Sequence, residues 1–179
     1  MILNIKNNKW FYIISVVQII LAIISFIYGY YYVCDPEREQ SIGIGNIMSY
    51  FQFLCLSSFA LNIKILCHNF LISFVSYILN IFSFGIYGCF IMAKSAFIVG
   101  NVIKLKEFSI VIFTLLELLG IIISCVVSNY IFNTFNKDQM NIKNILIITL
   151  VTIIILLIIY SIAGFIETQC IINTLNKEV

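Results

Sequence analysis

Between Phe108 and Asn133 the chain reads FSIVIFTLLELLGIIISCVVSNYIFN, a run long enough to cross a bilayer that carries one carboxylate, Glu117, well inside it. A helix rises about 1.5 Å per residue and the hydrocarbon slab is about 30 Å thick, so about 20 apolar residues suffice to span it. An ionisable group inside such a run is costly. It needs a polar partner, a proton or a function that retains it there. A dry carboxyl at that depth is held as the neutral acid, whereas a charged one requires water or a cation beside it.

Other segments share this character. Residues 10 to 33 form a first span with aromatic residues at both ends, where rings settle at membrane interfaces. Pro36 stops that helix in the charged loop 34 to 42. Residues 43 to 66 form a second and weaker span, with Lys64 placed to snorkel at its end. Cys67, His68 and Asn69 read as a tight turn into a third span at 70 to 93, which makes a helical hairpin. Residues 94 to 107 read as a short basic loop, 108 to 133 as the fourth span and 145 to 172 as a fifth. The expectation is an all-α, polytopic transmembrane helix bundle of four to five spans with short loops, forming one domain over residues 1 to 179.

Composition agrees. The chain is 62% hydrophobic and only 10% charged, where a soluble domain is usually about a quarter charged. No soluble core of this size could hide that surface. The first apolar run is too long for a signal-peptide core, and Cys34-Asp35-Pro36 behind it is not a small-residue cleavage site, so it reads as a retained helix. A net charge of +2 with scattered lysines points away from nucleic acid. In five alternating spans the positive charges tie: Lys6, Lys9, Lys64, Lys137 and Lys143 on one side, Arg38, Lys94, Lys104, Lys106 and Lys177 on the other. The positive-inside rule therefore selects no orientation.

Each of the first four spans offers a polar residue at similar depth. Gln18, Gln52, Asn80 and Glu117 fall roughly 12 to 15 Å from the faces at which their spans begin. With alternating directions they form one intramembrane polar layer near the midplane. That layer supports two readings. One is interhelical glue, at about 0.6 kcal/mol per hydrogen bond and sometimes near 2. The other is a cation or proton pathway with Glu117 as its binding group. Large apolar neighbours, Leu115, Leu116, Leu118 and Leu119, favour glue; a polar stripe continuing along one face would favour the pathway.

Catalytic and cofactor chemistry finds no foothold. The spacing of Cys34, Cys55, Cys67, Cys89, Cys125 and Cys170 fits neither a zinc site nor a redox motif. His68, the one histidine, has no acidic partner nearby in sequence. No glycine-rich phosphate loop is present. The expectation is a protein that is not an enzyme and uses no cofactor or metal. Cys67, at a membrane edge, is a candidate for lipidation, and a disulfide between Cys34 and Cys170 stays open.

Several segments resemble a known family. VVQIILAIISFIYG with Gln18, the Gly43 and Gly45 pair before the second span, NFLISFVSYILNIFSF, and FTLLELLGIIIS with its leucine-leucine-glutamate motif at Glu117 are similar to the four helices of the membrane-spanning four-domains family. That group includes a B-lymphocyte surface antigen and the IgE receptor beta chain. The resemblance covers residues 12 to 133; the fifth span is additional to the family's four. It implies a homo- or hetero-oligomer with other membrane proteins as partners, serving as a receptor or channel accessory subunit at the plasma membrane.

Overall fold

The computed structural model describes residues 9–31, 58–104, 108–135 and 141–178. They form five helices: α1 (Lys9–Tyr31), α2 (Ser58–Phe82), α3 (Ile86–Lys104), α4 (Phe108–Phe135) and α5 (Ile142–Glu178). No strand occurs among the described residues. All five helices are long and apolar enough to cross a membrane. A helix keeps every backbone hydrogen bond within its own segment, as an element surrounded by hydrocarbon must.

The distribution of side chains is the reverse of a soluble protein's. Gln18, Ser73, Asn80, Ser124, Ser128 and Asn129 are buried, while Ile24, Leu146, Leu150 and Phe165 are exposed. Polar groups meet inside because lipid cannot satisfy them, and apolar surface faces outward because there it meets like material. The chain is an integral membrane protein.

Side-chain contacts give the helix directions. Gln18 reaches Gly85 and Gly29 touches Phe97, so α1 and α3 run parallel. Asn69 pairs with Glu117 and Asn80 with Ser128, so α2 and α4 also run parallel. Tyr77 bonds Thr149 and Ser73 bonds Tyr160, which sets α5 antiparallel to α2. The five helices alternate up and down. A small apolar core of Ile91, Met92, Ile121 and Cys125, with Ala22 against it, ties α1, α3 and α4 together. Glycines set the closest approach: a Cβ on Gly29 would land on the Phe97 carbonyl, and one on Gly100 would lie 2.8 Å from the Tyr30 nitrogen.

Three boundaries differ from the sequence expectation. Cys67, His68 and Asn69 do not form a turn; α2 runs straight through them to Phe82. The turn comes later, at Ser83, Phe84 and Gly85, inside the segment expected as the third span, and the expected basic loop at 94 is helical as far as Lys104. Polar residues in α2 are tolerated because they face a polar interior or the bundle surface, so a dip in hydropathy there does not mark a loop. Residues 43 to 57, and Gln52 with them, lie outside the described residues, as does Cys34. Cys67 sits on the exposed face of α2, about 14 Å along it from Ser58, rather than in a turn.

Candidate functional site

The polar residues fall into two groups, not one layer. Asn129 lies about 18 Å along α4 from Glu117 by the rise of a helix, and Gln18 and Asn80 gather around Asn129. Glu117 stands apart.

The first group surrounds the α2–α3 turn. Phe84 and Gly85 adopt φ angles of 57° and 89° there. Such a reversal leaves helical N–H and carbonyl groups without partners, which is expensive away from water. The turn supplies part of the remedy: the Gly85 N–H donates to the Asn80 carbonyl at 2.9 Å, and the Tyr87 N–H donates to Ser83 Oγ at 2.9 Å. Two buried amides supply the rest. Gln18 Nε2 donates to the Gly85 carbonyl at 2.8 Å, and Asn80 Oδ1 accepts from the Gly88 N–H at 2.7 Å. Asn80 Nδ2 donates to Ser128 Oγ at 2.6 Å and to Asn129 Oδ1 at 2.8 Å. Asn129 Nδ2 closes the set by donating to Gln18 Oε1 at 2.8 Å. Phe82, Phe84 and Ile86 point outward, so the turn shows apolar groups on its outside. This group binds the protein to itself and leaves little capacity for a ligand.

The second group lines a cavity of about 230 Å³ between α2, α3, α4 and α5. Its floor is Glu117 and Ile121 of α4, with the buried Tyr160 of α5. Its rim carries His68 and Ile72 of α2 and Lys94 and Ile98 of α3, all exposed. The exposed part of the lining therefore belongs to α2 and α3. Asn69 Nδ2 donates to Glu117 Oε1, Ser73 Oγ and Tyr160 Oη are paired, and Tyr160 Oη donates to the Glu117 backbone carbonyl at 3.4 Å. Gly120 makes this possible, because a Cβ there would strike the Tyr160 ring. Glu167 of α5 lies within electrostatic reach of Glu117.

Between the two groups runs a polar seam. Asn69, Ser73, Ser76 and Asn80 recur at helical spacing on α2; Asn69 and Asn80 bond Glu117 and Ser128 on α4, and Ser73, Ser76 and Ser124 are buried between those two contacts along their helices. Ser124 and Ser128 bond carbonyls of their own helix, at 3.0 and 2.9 Å. Ser76 Oγ is buried with no hydrogen-bond partner.

Sequence reasoning passed over Asn129, Asn69, Ser73, Tyr160 and Lys94. The 4-3-4 spacing of Asn69, Ser73, Ser76 and Asn80 was a readable signal, hidden by the turn assigned across residues 67 to 69. His68, without an acidic neighbour in sequence, shares the cavity with Glu117. Among the described residues no trio of His, Cys, Asp or Glu is arranged to hold a metal. No family model, curated protein or solved structure matches this chain.

Proposed function

We propose that this membrane protein is transporter-like and carries a small polar solute or proton by way of the cavity at Glu117. The observation behind this reading is the continuation of the polar face: from Glu117 and Asn69 it extends through Ser73, Ser76 and Ser124 to Asn80 and Ser128. Glue alone would need only isolated contacts. The seam beyond Ser73 is packed shut, with Ser73, Ser124 and Ser128 each 0% exposed. The polar seam thus holds no continuous open path, which suits a gated carrier better than an open pore. Glu117, held by Asn69 and facing the cavity, is the binding group.

The test is solute-dependent flux in reconstituted liposomes, comparing the protein with Glu117→Gln. Glutamine keeps the acceptor for Asn69 and removes the charge, so flux should fall while the bundle stays folded. Unchanged flux would remove the reading. The competing reading is an adaptor or receptor accessory subunit that oligomerises with other membrane proteins at the plasma membrane. It rests on the family resemblance. Its prediction is co-purifying membrane partners that are lost when Gln18 or Asn80 is replaced, yet both amides already bond within the chain.

A further inference from the structure

We infer that the ligand of this cavity is a small zwitterion, its cationic group at Glu117 and its anionic group at Lys94 and His68. The inference rests on the carrier reading and specifies its substrate class.

The cavity brings opposite charges together from separate helices. Glu117 is on α4, Lys94 on α3 and His68 on α2, and all three line the same space. Among the described residues, no ion pair joins Lys94 to Glu117. Opposite charges that line one cavity within a membrane bundle without pairing leave both unanswered unless something placed between them meets each. A simple cation bound at Glu117 would meet the Lys94 ammonium. A simple anion bound at Lys94 would meet Glu117, with Glu167 within reach behind it. A molecule with one charge of each sign satisfies both ends. Asn69 occupies Glu117 Oε1, which leaves the second carboxylate oxygen to accept from an ammonium. Ser95 adds a hydroxyl on the Lys94 side, and Ile72, Ile91, Ile98 and Ile121 supply apolar walls.

Size narrows the class further. A cavity of about 230 Å³ is smaller than the ~300–1,000 Å³ of drug-sized sites. That suits an amino acid with a short aliphatic side chain better than a nucleotide or a disaccharide.

The experiment uses three probes with nearly the same carbon body. L-valine carries both charges, isobutylamine only the positive one and isovalerate only the negative one. Binding is measured by calorimetry on the purified full chain in mild detergent, at neutral pH. Valine should bind at least about tenfold more tightly than either single-charge analogue. Glu117→Gln should abolish the preference for valine over isovalerate, and Lys94→Gln the preference over isobutylamine. Those are charge-specific changes that a general loss of folding would not reproduce, and a thermal melt of each variant checks folding independently. Isobutylamine binding as well as valine, with Lys94→Gln silent, would overturn the inference in favour of a cation site. Isovalerate binding as well as valine would overturn it in favour of an anion site. No binding of any probe, alongside Glu117-dependent proton flux in liposomes, would also overturn it and leave the carrier reading standing. Valine binding with no flux of any kind would do the reverse.

Discussion

The side-chain amide of Asn129 donates to Oε1 of Gln18 at 2.8 Å, joining α4 to α1 across 111 residues of chain. Its own oxygen accepts from Asn80 at 2.8 Å, so one asparagine links three helices. Replacing Asn129 with Leu keeps the size of the side chain and strands Gln18 Oε1. An average interhelical hydrogen bond in a membrane contributes only about 0.6 kcal/mol, but an orphaned buried acceptor costs about 1–3 kcal/mol, so the second effect decides the outcome. Asn129→Leu should lower unfolding stability in bicelles by about 1–3 kcal/mol. Pairing it with Gln18→Leu should cost less than the sum of the two single changes, because the double variant leaves neither group stranded.

The turn itself carries the next expectation. Gly85 has φ 89°, and a Cβ there would meet the Ile14 side chain and lie 3.1 Å from Asn129 Oδ1. Left-handed backbone costs a non-glycine residue about 1–2 kcal/mol, and crowding a packed site adds to it. Gly85→Ala should lower the thermal midpoint of the detergent-solubilised protein. The shift should exceed that of an alanine placed at lipid-facing Phe82, which is 77% exposed.

This turn also shows why the sequence could be followed only part of the way. The apolar length of the spans was plain, and Gln18 and Asn80 were visible as amides inside them. The true reversal was not, because Phe84 lies within it and Phe82 and Ile86 flank it, so that it looks like the middle of a span. A turn whose backbone is bonded by amides from other helices needs few polar residues of its own. The apparent turn at residues 67 to 69 was polar for a different reason: Asn69 serves Glu117 on α4, and His68 edges a cavity. Hydropathy records what a side chain is, not which helix satisfies it. Asn129 was missed for a related reason, since a chain rich in asparagine gives no cue to which one is buried.

Helices α1 and α3 should depend on their glycines. A Cβ on Gly29 would collide with the Phe97 carbonyl, and one on Gly100 would lie 2.8 Å from the Tyr30 nitrogen. Flexible side chains can move aside, but backbone cannot. Gly29→Ala and Gly100→Ala should each force the two helices apart, at about 1–3 kcal/mol. The Tyr28 and Phe97 rings, with centroids 5.9 Å apart, report on the seam. Oxidative crosslinking of a Tyr28→Cys, Phe97→Cys pair should be efficient in the parent chain and fall sharply when either alanine is added.

Alternating helices place the start of α1 and the end of α5 on opposite sides of the membrane. α1 finishes and α2 begins at one end of the bundle, and α5 finishes at that same end while Lys9 lies at the other. A small membrane-impermeant thiol reagent applied to sealed, oriented vesicles should label a cysteine placed at Lys9 and one placed at Asn173, both exposed, from opposite faces. Labelling of both from the same face would break the up-and-down arrangement.

The final prediction separates what Glu117 does for the fold from what it does for a ligand. Asn69 donates to Glu117 Oε1, so the fold needs an acceptor at residue 117 but not a charge. Glutamine retains a carbonyl oxygen in nearly the same place. Leucine retains the volume and removes the acceptor, leaving the Asn69 donor only the cavity to face, a loss of about 1 kcal/mol. Glu117→Gln should therefore leave the thermal midpoint close to the parent's, while Glu117→Leu lowers it. Asn69→Leu combined with Glu117→Leu should recover part of that loss, because it removes the stranded donor as well. If Glu117→Gln destabilised the bundle as much as Glu117→Leu, the carboxylate charge itself would be holding the helices together. The residue would then be a structural ion-pair member, and the cavity beside it would lose its claim to be a binding site.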